Sequence, residues 1–148
     1  NKAMASFITN LMNIGKSHDN LNYNCVTVEY MENYNTLKSY IAFLETKGWT
    51  PITYTTSQRN PDPYDKVSEL CERNAHAVIG QEFSKVVFVM DENFQYGEDG
   101  KLLVCHSYYS AKGMLYQIVT RVVDELKIIV TNNPELYVKL LGIKAMGE

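Results

Sequence analysis

The chain has 148 residues, of which 45% are hydrophobic and 21% are charged, a composition that excludes intrinsic disorder and collagen-like or coiled-coil structure. A chain of this length can bury a core of its own, so we expect residues 1–148 to fold as a single domain. The net charge of −3 argues against binding nucleic acid through bulk positive charge, whereas a local site is compatible with it.

The sequence offers no sign of a membrane span, a secretion signal or a metal site. Its apolar runs are too short for a bilayer, which favours a soluble, cytoplasmic protein with no membrane partner. Cys25, Cys71 and Cys105 lie far apart without a CxxC pair, so we expect reduced, buried thiols. The spacing of His76 and His106 relative to these cysteines matches no zinc pattern, and we predict no metal ligands.

The first half of the chain predicts alternating helices and strands. The segments are a helix over 4–11, a strand over 25–30, a helix over 37–44 and a strand over 51–55. Asn33 or Asn35 is placed to cap the second helix. The second strand is expected to lie parallel to the first after a right-handed crossover.

The second half continues the alternation after a loop over 56–65. The predicted segments are a buried strand over 85–91, a hairpin insertion within 92–112, a helix over 113–123, a strand over 126–131 and a last helix from 133 to 141. This order of elements predicts an α/β fold, a three-layer α/β/α sandwich with a mostly parallel sheet.

Two segments match nucleotide-binding motifs only in part. Gly15-Lys16-Ser17 matches the end of a P-loop, but position 10 is asparagine and a helix precedes the segment where a P-loop follows a strand. Asp91 and Glu92 end a buried strand, as a Mg²⁺-binding acid pair would. Without a P-loop, this pattern favours a buried strand with a solvated acidic end.

Residues 74–83 place a glycine and an acid directly before a buried strand. Gly80 allows the backbone to bend or to approach a ligand, and Glu82 is expected to present a carboxylate at the mouth of the sheet, where ligands bind in open α/β folds. The alternative is a turn glycine beside a solvated acid. The residue types alone leave both interpretations open.

Arg121 is the second candidate, a cation at the end of a mostly apolar predicted helix. Its planar, permanently charged guanidinium is suited to binding phosphate. The alternative is a structural role, in which the helix dipole favours the cation and Asp124 or Glu125 pairs with it.

Together the two candidate segments resemble a known pair of motifs. Residues 74–89 resemble motif V of superfamily 1 (UvrD-like) helicases, and residues 115–130 resemble motif VI, in which a Leu-Tyr helix ends in Thr-Arg before an apolar strand. The likeness is closest to the Schlafen-like DNA/RNA helicases, which carry a His-x-x-x-Gly-Gln-Glu-aromatic stretch. The resemblance implies that the chain is the second, C-terminal RecA-like domain of such a helicase, with a P-loop NTPase-type sheet.

The resemblance also implies which parts of the site lie elsewhere. The P-loop and the Mg²⁺-binding acid would belong to an N-terminal RecA-like domain of the same polypeptide, and ATP with Mg²⁺ would bind only when that domain is present. The residues that the resemblance assigns are Arg121 as the arginine finger that reaches the nucleotide, Gly80, Gln81 and Glu82 beside the nucleotide, and Asn74 and His76 on single-stranded nucleic acid.

Three functions remain open from the sequence. The first is a C-terminal helicase domain, a fragment of an ATP hydrolase that is inactive in isolation. The second is a free-standing α/β binding or interaction module in which a salt bridge occupies Arg121. The third is a small α/β enzyme that gathers Asp91, His106 and Glu82 in one pocket.

Overall fold

The computed structural model of the chain describes residues 2–12, 23–52, 82–104, 117 and 120–145. The elements are α1 (Lys2–Met12), β1 (Val26–Tyr30), α2 (Tyr34–Thr46), β2 (Thr50–Pro51), β3 (Phe83–Met90), β4 (Phe94–Tyr96), β5 (Leu102–Val104), β6 (Val122–Val130) and α3 (Pro134–Ala145). Predictions for 13–22, 53–81, 105–116 and 118–119 fall outside the described residues. None of the described helices has the length and apolar character needed to cross a membrane.

Four strands form one parallel sheet in the order β1-β6-β3-β2. The central strands β3 and β6 are buried along their carboxyl-terminal halves, as expected for apolar runs covered on both faces. The strands β1 and β2 lie at opposite edges although they follow each other among the described strands. The predicted α/β class with a parallel sheet is confirmed.

Helices cover both faces of the sheet. Glu29 and Tyr30 are consecutive in β1, so their side chains point to opposite faces. The ring of Tyr30 packs against that of Tyr137 in α3, with centroids 5.4 Å apart, whereas Glu29 accepts a hydrogen bond from the Tyr40 hydroxyl of α2 at 3.0 Å. Helix α1 contacts α3 and lies in the same layer. The three-layer prediction is therefore also confirmed.

The predicted helix over 113–123 is wrong at its carboxyl-terminal end. Val122 and Val123 belong to β6, which begins four residues before the predicted strand over 126–131. The two valines are β-branched and suit a strand, and β6 pairs with β3 from Val122 onward. Gln117 is helical, and Thr120 and Arg121 form a turn directly before β6.

Strands β4 and β5 form an antiparallel pair within the predicted hairpin insertion, and Asn133 joins this pair to the rest of the fold. The Asn133 side-chain oxygen caps α3 by accepting from the Leu136 amide at 3.1 Å. Its side-chain nitrogen donates to the carbonyls of Asp91 at 3.1 Å and Phe94 at 2.8 Å. One side chain therefore fixes the start of α3 against the turn between β3 and β4.

We expect Asn133→Ala to lower the free energy of unfolding by about 2–3 kcal/mol, because it removes a helix cap and two further hydrogen bonds. The matched control is Asn33→Ala, since Asn33 caps α2 through the Thr36 amide at 2.9 Å. Loss of that cap should cost about 1 kcal/mol. Urea unfolding of both variants checks the difference, and an equal cost would contradict the linking role of Asn133.

Candidate functional site

The two central strands extend past their neighbours at the amino-terminal edge of the sheet. The edge strands β1 and β2 begin opposite Leu126 and Val86, respectively. Residues 83–85 of β3 and 122–125 of β6 therefore continue beyond the first residues of the two edge strands, over roughly 10 Å at the rise of a β-strand. These two segments are named the ribbon.

Glu82 and Arg121 lie at the end of the ribbon, one before each strand. The Phe83 amide donates a hydrogen bond to the Arg121 carbonyl at 2.9 Å, which places Glu82 and Arg121 at the same end of adjacent strands. Glu82 is exposed and Arg121 is partly buried. The structure thus brings together the two described members of the sequence-predicted site.

The guanidinium of Arg121 carries a donor that the described part of the chain does not satisfy. Its Nε atom is buried and has no hydrogen-bond partner there. A buried donor without an acceptor costs about 1–3 kcal/mol, more when the group is charged.

The predicted alternative, an ion pair between Arg121 and its own acids, is not found among the described residues. Asp124 and Glu125 belong to a strand, where three to four residues span roughly 10–13 Å, and not to a helix or turn that would bring them close. The Asp124 carboxylate accepts from the Ser84 hydroxyl at 2.5 Å, and the Glu125 carboxylate lies 3.3 Å from Lys85 Nζ. Both acids are thus engaged across the ribbon.

Asp91 lies at the other end of β3 from Glu82. An eight-residue strand separates the two, a length of about 26 Å. Asp91 is wholly buried and accepts from the amide and side-chain nitrogen of Asn93, at 3.0 and 3.2 Å. The prediction of a solvated acidic end is therefore wrong for Asp91, although Glu92 is exposed. The distance also rules out one enzyme pocket that contains both Asp91 and Glu82.

A row of charged residues crosses the sheet at the base of the ribbon, on the face covered by α2. Lys127 Nζ lies 2.7 Å from Glu29 Oε1 and 5.0 Å from the centroid of the Trp49 ring. Lys85 Nζ lies 5.6 Å from the same centroid and 3.3 Å from Glu125. Trp49 directly precedes β2, so this row, named the charged belt, links all four strands.

Sequence reasoning missed the charged belt. Lys127 is a buried lysine in the most apolar segment of β6, and this isolated cation in the apolar run was the signal that could have been used. A lysine in such a position needs a partner, which the sequence does not identify. Glu29 is 98 residues away in the chain.

The charged belt is suited to holding strands together and not to acid–base chemistry. Burial alone would lower the pKa of Lys127, but the hydrogen bond and charge of Glu29, with Tyr40, outweigh it and the net shift is upward. Burial, followed by the hydrogen bond to Glu29, raises the pKa of Tyr40. Lys127 therefore remains charged and Tyr40 remains protonated near neutral pH.

We expect Lys127→Met to lower the free energy of unfolding by about 1–3 kcal/mol, because Glu29 is left partly buried without its cation. The upward pKa shift means that this stabilisation is fully present below the ordinary lysine pKa and is lost as the pH rises through the higher folded value. Urea unfolding at neutral and alkaline pH measures both effects. The control is Lys139→Met, an exposed lysine of α3, and equal stability of the two variants would contradict a role for the belt.

The remaining candidates add no nucleophile or metal site in the described ranges. Cys25 is a free, partly buried thiol, and burial raises its pKa, so it stays protonated at neutral pH. No group of three or more potential metal ligands occurs among the residues that the structure describes. Asn74, His76, Gly80 and Gln81 lie outside those residues.

Of the comparisons with known proteins, the one with solved structures agrees with this architecture. No protein-family model matches the chain, and no curated protein matches its sequence. Among solved structures, the chain resembles the C-terminal domain of a possible DNA helicase from Lactobacillus plantarum, with a TM-score of 0.50 and 12% sequence identity. The match covers 88% of this chain and 85% of that one. The similarity establishes a shared α/β fold of the RecA-like class.

Proposed function

We propose that the chain is the C-terminal RecA-like domain of an ATP-dependent DNA/RNA helicase of superfamily 1. The observation that carries the proposal is the position of Arg121 beside Glu82 at the end of the ribbon, with a buried Nε that has no hydrogen-bond partner among the described residues. The shared fold with the C-terminal domain of a possible DNA helicase supports it. The engagement of Asp124 and Glu125 across the ribbon favours this function over a binding module in which a salt bridge occupies Arg121.

In this proposal the chain provides half of an ATP site. The N-terminal RecA-like domain of the same polypeptide supplies the P-loop and the acid that holds Mg²⁺, and ATP binds between the two domains. Arg121 then stabilises the negative charge that develops on the γ-phosphate during transfer to water. The proposal also assigns Gly80, Gln81 and Glu82 to contacts with the nucleotide.

Placing the arginine on the second domain couples hydrolysis to domain movement. ATP draws the two domains together because both contribute ligands to it, and loss of the γ-phosphate releases them. Nucleic-acid contacts on both domains, with Asn74 and His76 on this one, then advance along a single strand. An acidic domain is compatible with this role, because single-strand binding uses a local groove shared with the partner domain.

The isolated chain should not hydrolyse ATP, because its proposed partner domain holds the P-loop. Phosphate release from ATP and Mg²⁺ should stay at the level of buffer, with and without single-stranded DNA or RNA. ATP hydrolysis activity that stays with the chain through successive chromatography columns would overturn the proposal.

In the complete polypeptide, Arg121→Ala should lower the rate of strand-stimulated ATP hydrolysis by about 10³–10⁵-fold, the range found for arginine fingers. The dissociation constant for ATP should change little, because the P-loop domain provides most of the binding. Lys38→Ala, which removes an exposed cation from α2, is the control. Unchanged hydrolysis in Arg121→Ala would rule out the finger role.

A further inference from the structure

The ribbon contains an irregularity next to Arg121. Phe83 pairs with Val122 and Lys85 pairs with Glu125, so Ser84 alone lies opposite both Val123 and Asp124. This is a β-bulge, in which one strand carries an extra residue. A bulge changes which face of the sheet the following side chains point to, and bulges are frequent next to active sites for that reason.

A side-chain hydrogen bond closes the bulge. The Ser84 hydroxyl donates to Asp124 Oδ2 at 2.5 Å, and both residues are exposed. On one side of the bulge, the Lys85–Glu125 ion pair joins the ribbon to the charged belt. On the other side, the hydrogen bond from the Phe83 amide holds the Arg121 carbonyl.

We propose that Ser84 and Asp124 are positioning residues that fix the direction of the Arg121 side chain by locking the β-bulge. The inference rests on the proposed function, in which Arg121 must reach a phosphate that another domain holds. The direction of the Arg121 side chain matters for that reason. A displacement of about 1 Å in such a group can cost roughly a hundredfold in rate. The hydrogen bond from the Phe83 amide fixes only the backbone carbonyl of Arg121. The bulge in β6 sets the orientation of Arg121 itself, because Arg121 directly precedes that strand.

The first test is kinetic and uses the complete polypeptide. Ser84→Ala should lower kcat for strand-stimulated ATP hydrolysis about 10- to 100-fold with little change in KM for ATP, because the misdirected arginine acts in the transition state. Ser84→Thr keeps the hydroxyl and should restore kcat to within about threefold of the wild type. Ser39→Ala, the same change at an exposed position of α2, is the control and should have no effect.

The second test needs no ATPase activity. The NMR signal of the Arg121 Nε–H group in this chain should shift or broaden in Ser84→Ala and in Asp124→Ala, and should return in Ser84→Thr. Unchanged Arg121 signals together with unchanged kcat would overturn the inference while leaving the finger role intact. If Arg121→Ala itself leaves hydrolysis unchanged, the proposed function fails instead, so the two failures are distinguishable. Circular dichroism identifies any variant that does not fold, and the conclusion then rests on Asp124→Ala and Ser84→Thr.

Discussion

The pairing of β3 with β6 is the interaction on which the rest of the structure depends. These strands form the buried centre of the sheet, and the same two strands continue beyond it as the ribbon that carries Glu82 and Arg121. The buried core and the candidate site are therefore carried by the same pair of strands. The charged belt stabilises the β3–β6 pair at the point where the ribbon begins. Trp49 and the two lysines there join strands that do not all pair directly.

The location of the site at the amino-terminal edge has a functional consequence. Ligands of parallel α/β sheets usually bind at the carboxyl ends of the strands. The expectation that Glu82 lies at that ligand-binding mouth is therefore wrong, because Glu82 precedes β3. In this fold the carboxyl end of β3 is occupied by the buried Asp91 and by the Asn133 link to α3. An arginine at the opposite edge is better suited to acting on a ligand held by a second domain than to forming a complete pocket within this one. That arrangement agrees with a domain that provides one charged group to a shared ATP site.

Sequence reasoning predicted the helices and strands that have strong hydrophobic periodicity. It failed where contacts between residues distant in the chain determine the structure. The apolar run before Asp91 and the cap at Asn33 are local signals, and the structure contains both features. The start of β6 was misplaced because residues 122–125 pair with a strand that is distant in the chain. For the same reason the burial of Asp91, the bulge at Ser84 and the partner of Lys127 could not be predicted. The placement of Glu82 and Arg121 at one edge followed only from the resemblance, because no local pattern connects residues so far apart in sequence.

The most direct measurement of the central claim is the chemical accessibility of Arg121 during the ATP cycle of the complete polypeptide. Phenylglyoxal modifies exposed guanidinium groups, and mass spectrometry reports the extent of the reaction at Arg121. A transition-state mimic, ADP with aluminium fluoride and Mg²⁺, should protect Arg121 strongly, whereas ADP alone should protect it weakly. Equal modification of Arg121 in both states would contradict an arginine that contacts the transferred phosphate.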